Sequence, residues 1–295
     1  MRKNIYLKIF AAIIFVMGFS LTCNALVDAT GLEFKTTKPL QRIISLAPSI
    51  TENLYVLGVG EKVVGVTIFC NRPKEAETKE KIGTLQEINI EKIVSLKPDM
   101  VFASMDDNKK EAVMKLRKLG VNVFVFDKEE DFETVCGHFS VLGEIVNAKS
   151  KAAKILNDID KKMKKITDKV KGLPLVKVFF QLGTNPIVSA GKGAFVDEFI
   201  QLSNGINITH DLPGRYMRYS KEQVIKENPD VIIIASMEEN TDQEKKNWEN
   251  FKQMSAVKNN RVVLINADLI CRPAPTVLIQ GLEEIAKTIH PEAFK

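Results

Sequence analysis

Histidine, cysteine and tryptophan are all scarce in this chain of 295 residues, and each shortage removes a class of chemistry. His138, His210 and His290 fall into no HxH or HExxH spacing, which argues against a histidine-rich metal site. No two of the four cysteines form a CxxC pair, so neither a structural zinc site nor a disulfide framework is indicated. No serine sits in a G-x-S-x-G elbow. Gly191-Lys192-Gly193 has part of the look of a phosphate loop, but Gly183 is too far upstream and no Ser or Thr follows the lysine. It reads as a tight turn before a helix over Ala194–Leu202. No catalytic group, metal site or bound cofactor is therefore expected, which favours a binding role over an enzyme.

Charge of one sign is lacking too. Lys and Arg number 42 against 37 Asp and Glu, a surplus of +5, and Arg2, Lys3 and Lys8 fall in a segment expected to be removed. Such a balance does not suggest a nucleic-acid binder. Beyond that segment no apolar run is long enough to cross a bilayer. The segment itself, residues 1–25, reads as a signal peptide: Met1–Lys8 is basic, Ile9–Leu21 is apolar, and Cys23-Asn24-Ala25 supplies small residues for cleavage after Ala25. The expected destination is the periplasm. A retained anchor is disfavoured by the short apolar run, and lipid anchoring at Cys23 by the poor box Ser20-Leu21-Thr22. Cleavage leaves Cys70, Cys136 and Cys271, for which one bridge plus a free thiol stays open.

What is present is a folded composition, 45% hydrophobic and 27% charged, of a size for two domains. Buried-strand runs are predicted at Arg42–Leu46, Val63–Val66, Met100–Ala103 and Val121–Phe126, then at Val176–Phe180, Val231–Ala235 and Val262–Ile265. They alternate with helical patterns, the signature of α/β layers with mainly parallel sheets. Ser49-Ile50-Thr51-Glu52 has the form of a capping box opening a helix that stops near Gly58. Asn147–Gly172 repeats its apolar residues at Ala152, Ile155, Ile159, Met163 and Ile166, spacings of three and four that describe one long amphipathic helix. It suits a surface helix of one large domain or a connector between two lobes, and its central position favours the connector. The expected organisation is an N-terminal lobe at 26–146, a connecting helix at 147–172 and a C-terminal lobe at 173–295.

An internal repeat supports two lobes. Glu91 to Ser104 matches Glu222 to Ser236, each a short helix, a Pro-Asp turn and a buried strand. In both copies a glutamate stands in the first helical turn, where the helix dipole favours an anion. Polar and aromatic residues gather in loops expected at the strand ends, where open α/β sheets hold ligands: Ser45–Ser49, Phe69–Pro73, Leu85-Gln86, Gln181–Gly183, Arg215–Arg218 and Cys271–Pro273. The arginines there, Arg72, Arg215, Arg218 and Arg272, suit carboxylates or phosphates. Cys70 and Cys271 fit soft ligands or a bridge across a cleft, or ordinary loop and core cysteines.

These residues carry a family likeness. Asp28-Ala29-Thr30-Gly31, Arg42 to Glu52, Gly65-Val66-Thr67, Phe69 to Pro73, Asn89 to Asp99, Asn204 to Ile208, Tyr219 to Glu222 and Arg272-Pro273 together resemble the substrate-binding proteins of ABC importers for cobalamin and ferric siderophores. The likeness runs from about residue 28 to the C-terminus, and the vitamin B12-binding branch is the most similar. It implies two α/β lobes joined by a long helix, with ligand held in a cleft between them. It further implies a monomeric receptor that captures a small metal chelate, most of all a corrinoid, and delivers it to an importer made of a permease dimer and its ATPase. Glu91 and Glu222 match the two glutamates by which that branch docks onto permease arginines. The positions matching its ligand-packing aromatics are Phe69, Leu85, Ser104, Leu182, Tyr216 and Leu269, which implies a largely aliphatic lining, with Arg72, Arg218 and Arg272 as polar contacts. A ferric siderophore or haem receptor of the same importer class, or a sensor domain with the same fold, is the alternative.

Overall fold

The computed structural model describes residues 26–34, 38–235 and 241–295. The signal segment with Cys23, and Ser236 of the repeat, lie outside the described residues. The N-terminal lobe holds strands β1 (Leu26–Val27), β2 (Glu33–Phe34), β3 (Ile43–Ser45), β4 (Val63–Val66), β5 (Glu80–Lys81), β6 (Met100–Ser104) and β7 (Val123–Phe126). Its helices are α1 (Pro48–Val56), α2 (Ile90–Ser95) and α3 (Lys110–Lys118). Strands β3 to β7 form one parallel sheet in the order β5-β4-β3-β6-β7. Its strands are Val, Ile and Phe runs because helices cover both faces.

Two helices follow, α4 (Phe132–Ile145) and α5 (Lys149–Val170). The C-terminal lobe then carries β8 (Val176–Thr184), β9 (Ile187–Ala190), α6 (Phe195–Leu202), β10 (Gly205–Asn207), β11 (Tyr216–Arg218), α7 (Lys221–Glu227) and β12 (Val231–Ile234). It ends with α8 (Thr241–Glu249), α9 (Ser255–Lys258), β13 (Val262–Leu264), α10 (Asp268–Cys271) and α11 (Pro275–Ile289). This sheet is mixed. Strands β10, β12 and β13 run parallel to β8, while β9 returns from β8 as an antiparallel hairpin and β11 pairs antiparallel with β9.

The repeat has a mechanical purpose in both lobes. Lys97 and Asn228 adopt the same left-handed conformation (φ +46° and +47°) before their prolines. The aspartate after each proline then clamps the start of the lobe's central strand. Asp99 accepts the N–H groups of Gln41 (2.6 Å) and Arg42 (2.8 Å) and returns its own N–H to the Arg42 carbonyl. Asp230 does the same with Lys177, at 3.0 and 2.9 Å. The Pro-Asp pair thereby fixes the register of β6 on β3 and of β12 on β8.

Helix α1 departs from its expected start. Pro48 occupies its first turn, Ala47 precedes it, and no side chain caps it. Proline's fixed φ and missing N–H suit that position, so Ser49 lies inside the helix and the capping box is not used. Thr51 Oγ1 turns back instead to Ser45 Oγ (2.8 Å) and the Ala47 carbonyl (3.1 Å).

The long predicted helix appears as α5, and α4 runs beside it. Both enter both cores. Phe132 and Val135 of α4 pack in the C-terminal core, whereas Phe139, Leu142 and Ile145 pack in the N-terminal one. In α5, Ala152 belongs to the N-terminal core, and Ile159, Ile166 and Val170 to the C-terminal one. Asn147, left-handed at φ +61°, makes the reversal between them. Gly143 lets the helices meet, since a Cβ there would lie 2.5 Å from that of Ala152.

Candidate ligand cleft between the lobes

A cleft of about 580 Å³ opens between the lobes. Its N-terminal wall consists of loops that leave the C-terminal ends of the parallel strands: Pro48 and Ser49 after β3, Ile68, Phe69 and Asn71 after β4, Leu85 after β5, Asp106 and Asp107 after β6, and Glu129 after β7. Its C-terminal wall consists of Phe195 at the start of α6, Arg215 and Tyr216 at β11, Cys271 at the end of α10, and Arg272 and Pro273 after it. Phe69 and Tyr216 stand 49% and 46% exposed, large rings left bare in a concave site. One side chain holds much of the first wall in place: Asn108 donates to the carbonyls of Leu46 (3.1 Å) and Leu85 (2.9 Å) and accepts the N–H of Ser104.

Ion pairs and hydrogen bonds cross the cleft. Arg72 pairs with Asp268 of the opposite lobe. Asp268 also accepts Arg272 Nε (2.9 Å), and Arg272 Nη1 donates back across to Asn71 Oδ1 (2.8 Å). Glu52 of α1 lies within the field of this group. Burial raises its carboxyl above the ordinary range, against the opposing pull of Arg272 and Arg72. At the other end Arg215 donates to the Glu129 carbonyl and lies over the rings of Phe195 and Tyr216, 5.3 and 5.5 Å from their centroids.

The free charge in the cleft is negative. Asp106 accepts the N–H of Glu129 (2.9 Å). Burial raises the Glu129 carboxyl, an effect opposed by the neighbouring His138 ring. Asp107 is pushed up to about 6 by burial first, then by Glu129 and Asp106. Tyr216 is raised by burial, against Arg215. Its phenol therefore stays neutral at physiological pH.

Of the nine residues proposed for the ligand, Phe69, Leu85, Tyr216 and Arg272 line the cleft. Arg72 lies in the ion-pair group that spans it. The other four stand elsewhere. Ser104 is buried at the end of β6, where its Oγ accepts the Asp106 N–H. Leu182 and Leu269 pack against the C-terminal core. Arg218 is exposed on β11, away from the lining. Gln181 is buried, and its side chain receives the indole N–H of Trp248 at 2.7 Å. Cys70 is also buried, beside Thr51 and Thr67, while Cys271 borders the cleft. Both are free thiols, as is Cys136. Glu91 and Glu222 are exposed, each the second residue of its helix, α2 and α7.

Asp106, Asp107, Asn108, Glu129, Phe195 and Asp268 escaped the sequence reading. A signal for the first three was present: the repeat runs on, Ser104-Met105-Asp106-Asp107-Asn108 against Ser236-Met237-Glu238-Glu239-Asn240. The second copy of that extension lies outside the described residues.

Two lobes, parallel strands ending at a shared cleft and a helical backbone between them are the build of a receptor for a small molecule. The chain belongs to the periplasmic binding protein family, whose model matches residues 43–269. It is 33% identical over 274 residues to an uncharacterized ABC transporter substrate-binding lipoprotein of Bacillus subtilis, covering 91% of this chain and 86% of that one. It is 31% identical over 245 residues to the vitamin B12-binding protein of Vibrio cholerae, covering 81% and 86%. A crystal structure of the periplasmic vitamin B12-binding protein of Vibrio cholerae superposes with a TM-score of 0.74 at 30% identity, over 87% of this chain and 99% of that one. A structure from Staphylococcus epidermidis, described as a possible iron-binding periplasmic solute-binding protein, gives 0.74 at 29% identity, over 86% and 100%.

Proposed function

We propose that this chain is an exported receptor that captures a corrinoid of the vitamin B12 type between its lobes and delivers it, chemically unchanged, to an ABC importer. The observation that carries this reading is the cleft itself. It exposes Phe69 and Tyr216 with Ile68, Leu85 and Pro273 as flat and aliphatic packing surface, in a chain similar over most of its length to a B12-binding protein. Rings offer large contact area at small entropic cost. Delivery falls to Glu91 and Glu222, paired carboxylates on the two lobes that suit the arginines of a permease dimer and give register and on-rate. Glu222 is held ionised by backbone and Ser220 hydrogen bonds, which lower its carboxyl.

A ferric-chelate or haem receptor is the second reading. It has the iron-binding description of the Staphylococcus epidermidis relative in its favour. It needs arginines free to meet anionic groups, whereas Arg72 and Arg272 are engaged by Asp268 and Asn71, and Arg215 is held by the Glu129 carbonyl with only its Nε unpartnered. The corrinoid is therefore preferred.

Equilibrium dialysis of the protein from residue 26 onward against cyanocobalamin, cobinamide, ferric hydroxamate and catecholate siderophores, and haem decides between them, with retained chromophore read by visible absorption. Saturable one-to-one retention of corrinoids alone is expected. Retention of haem or a siderophore with no corrinoid would sink the reading. The double substitution Glu91→Arg with Glu222→Arg is expected to abolish uptake in cells while leaving retention in dialysis intact, and unchanged uptake would remove the docking role.

A further inference from the structure

We infer that Asp107 is the residue by which the cleft distinguishes a ligand bearing carboxamides from one bearing carboxylates. The inference rests on the corrinoid reading above and deepens it.

Two of the three arginines that border the cleft are held by side-chain acceptors. Asp268 and Asn71 hold Arg72 and Arg272, and the Glu129 carbonyl and two rings hold Arg215. An anionic ligand group entering the cleft finds Arg72 and Arg272 engaged by side-chain acceptors, and Arg215 held by a carbonyl and two rings with its buried Nε unpartnered. The anions are less evenly occupied. Asp106 caps the Glu129 N–H, and the Glu129 carboxylate faces the His138 ring at 4.0 Å. The Asp107 carboxylate makes no hydrogen bond or ion pair among the described residues, yet its backbone is fixed, since its carbonyl accepts Gln86 Nε2 at 2.6 Å. Asn108, next in the chain, is pinned to Leu46 and Leu85. A carboxylate on a fixed backbone with no partner among the described residues, in a partly buried cleft beside two like charges, is destabilising to the fold and is the pattern of a group kept for ligand.

The chemistry of that group follows. An ionised carboxylate only accepts hydrogen bonds, and a carboxamide NH2 offers two donors to it. A ligand carboxylate at the same place would bring two like charges together in a poorly solvated cleft. The carboxamide arms that ring a corrin macrocycle supply the favourable case. Haem propionates and catecholate oxygens supply the unfavourable one.

The test compares the native protein with Asp107→Asn and Asp107→Ser. Each is dialysed at pH 7.5 against cobinamide and against cobyrinic acid, the corrinoid whose peripheral arms are carboxylates. The native protein is expected to favour cobinamide by about tenfold or more, the order of one charge-assisted hydrogen bond gained or lost. Both variants are expected to shrink that ratio severalfold, chiefly by retaining cobyrinic acid better, a gain of binding that a misfolded variant does not show. A native ratio near one, or a ratio that both variants leave unchanged while cobinamide is still retained, overturns the inference and leaves the corrinoid reading standing. Failure of the native protein to retain either corrinoid overturns that reading, and the role of Asp107 with it.

Discussion

The two lobes share a plan and differ in the edge of the sheet they turn toward the ligand. Each builds a central strand whose start is clamped by the aspartate of a Pro-Asp turn, and each carries a glutamate in the helix before that turn. Beyond this unit they part. The N-terminal sheet is wholly parallel, so its loops all emerge at one edge and carry Phe69, Leu85, Asp107 and Glu129 into the cleft. The C-terminal sheet runs β9 against its neighbours β8 and β11, and the return to β11 brings Arg215 and Tyr216 to the opposite wall. The duplicated unit sets strand register, and of the residues that line the cleft only Asp106 and Asp107 fall within the repeat and its extension.

Their cores diverge as well. A buried charge anchors the N-terminal lobe: Asp28 pairs with Arg117 and accepts N–H groups from Thr30, Leu32 and Val125. Burial alone would raise that carboxyl, but the hydrogen bonds from Thr30, Leu32 and Val125 outweigh it and hold it below the ordinary range. A buried polar aromatic anchors the other lobe, with the Trp248 indole on Gln181 and Gln181 on Glu244 (3.3 Å). Removing either anchor is expected to give the largest effects, about 3–5 kcal/mol for Asp28→Ala, which strands Arg117, and a similar loss for Trp248→Ala. Urea unfolding checks both. A loss below about 1 kcal/mol in one of them would show that only one lobe depends on its anchor.

A smaller effect of opposite sign is expected at Asp107. Its folded-state carboxyl, at about 6, lies above the ordinary 3.8, so the native state binds the proton more tightly than the unfolded chain. Stability from this group is present below about pH 4 and is lost as pH rises through 6. Asp107→Asn is therefore expected to stabilise the protein by about 2–3 kcal/mol at pH 7.5 and by only about 0.5 kcal/mol at pH 4. An equal gain at both pH values would assign the effect to packing. The smallest effect should separate the matched clamps. Asp99 accepts two N–H groups and Asp230 one, so Asp99→Ala should cost about 1 kcal/mol more than Asp230→Ala. Equal losses would mean that the second N–H is satisfied by water.

Much of this plan was legible in the sequence because its signals are local. Hydrophobic runs gave the seven major strands, periodicity gave α5, and the repeat gave the paired glutamates and the Pro-Asp turns. The hairpin of β8 and β9 was missed because its turn, Asn185-Pro186, interrupts apolar segments that a window reads separately. Half of the expected lining was misplaced for a related reason. Whether a residue at a strand end points to solvent or to core depends on one position of register, as at Gln181 and Leu182, and on how far the strand continues, as at Ser104. Arg72, Arg215 and Arg272 lie at the cleft and Arg218 does not, and sequence does not reveal that Asp268 and Asn71 occupy two of them.

The helical pair α4 and α5 also sets how the molecule comes apart. Because each helix supplies side chains to both cores, a chain severed at the bend near Asn147 leaves each fragment lacking part of its own interior. Neither half is then a self-sufficient piece, and heating is expected to melt the protein in a single calorimetric step rather than lobe by lobe.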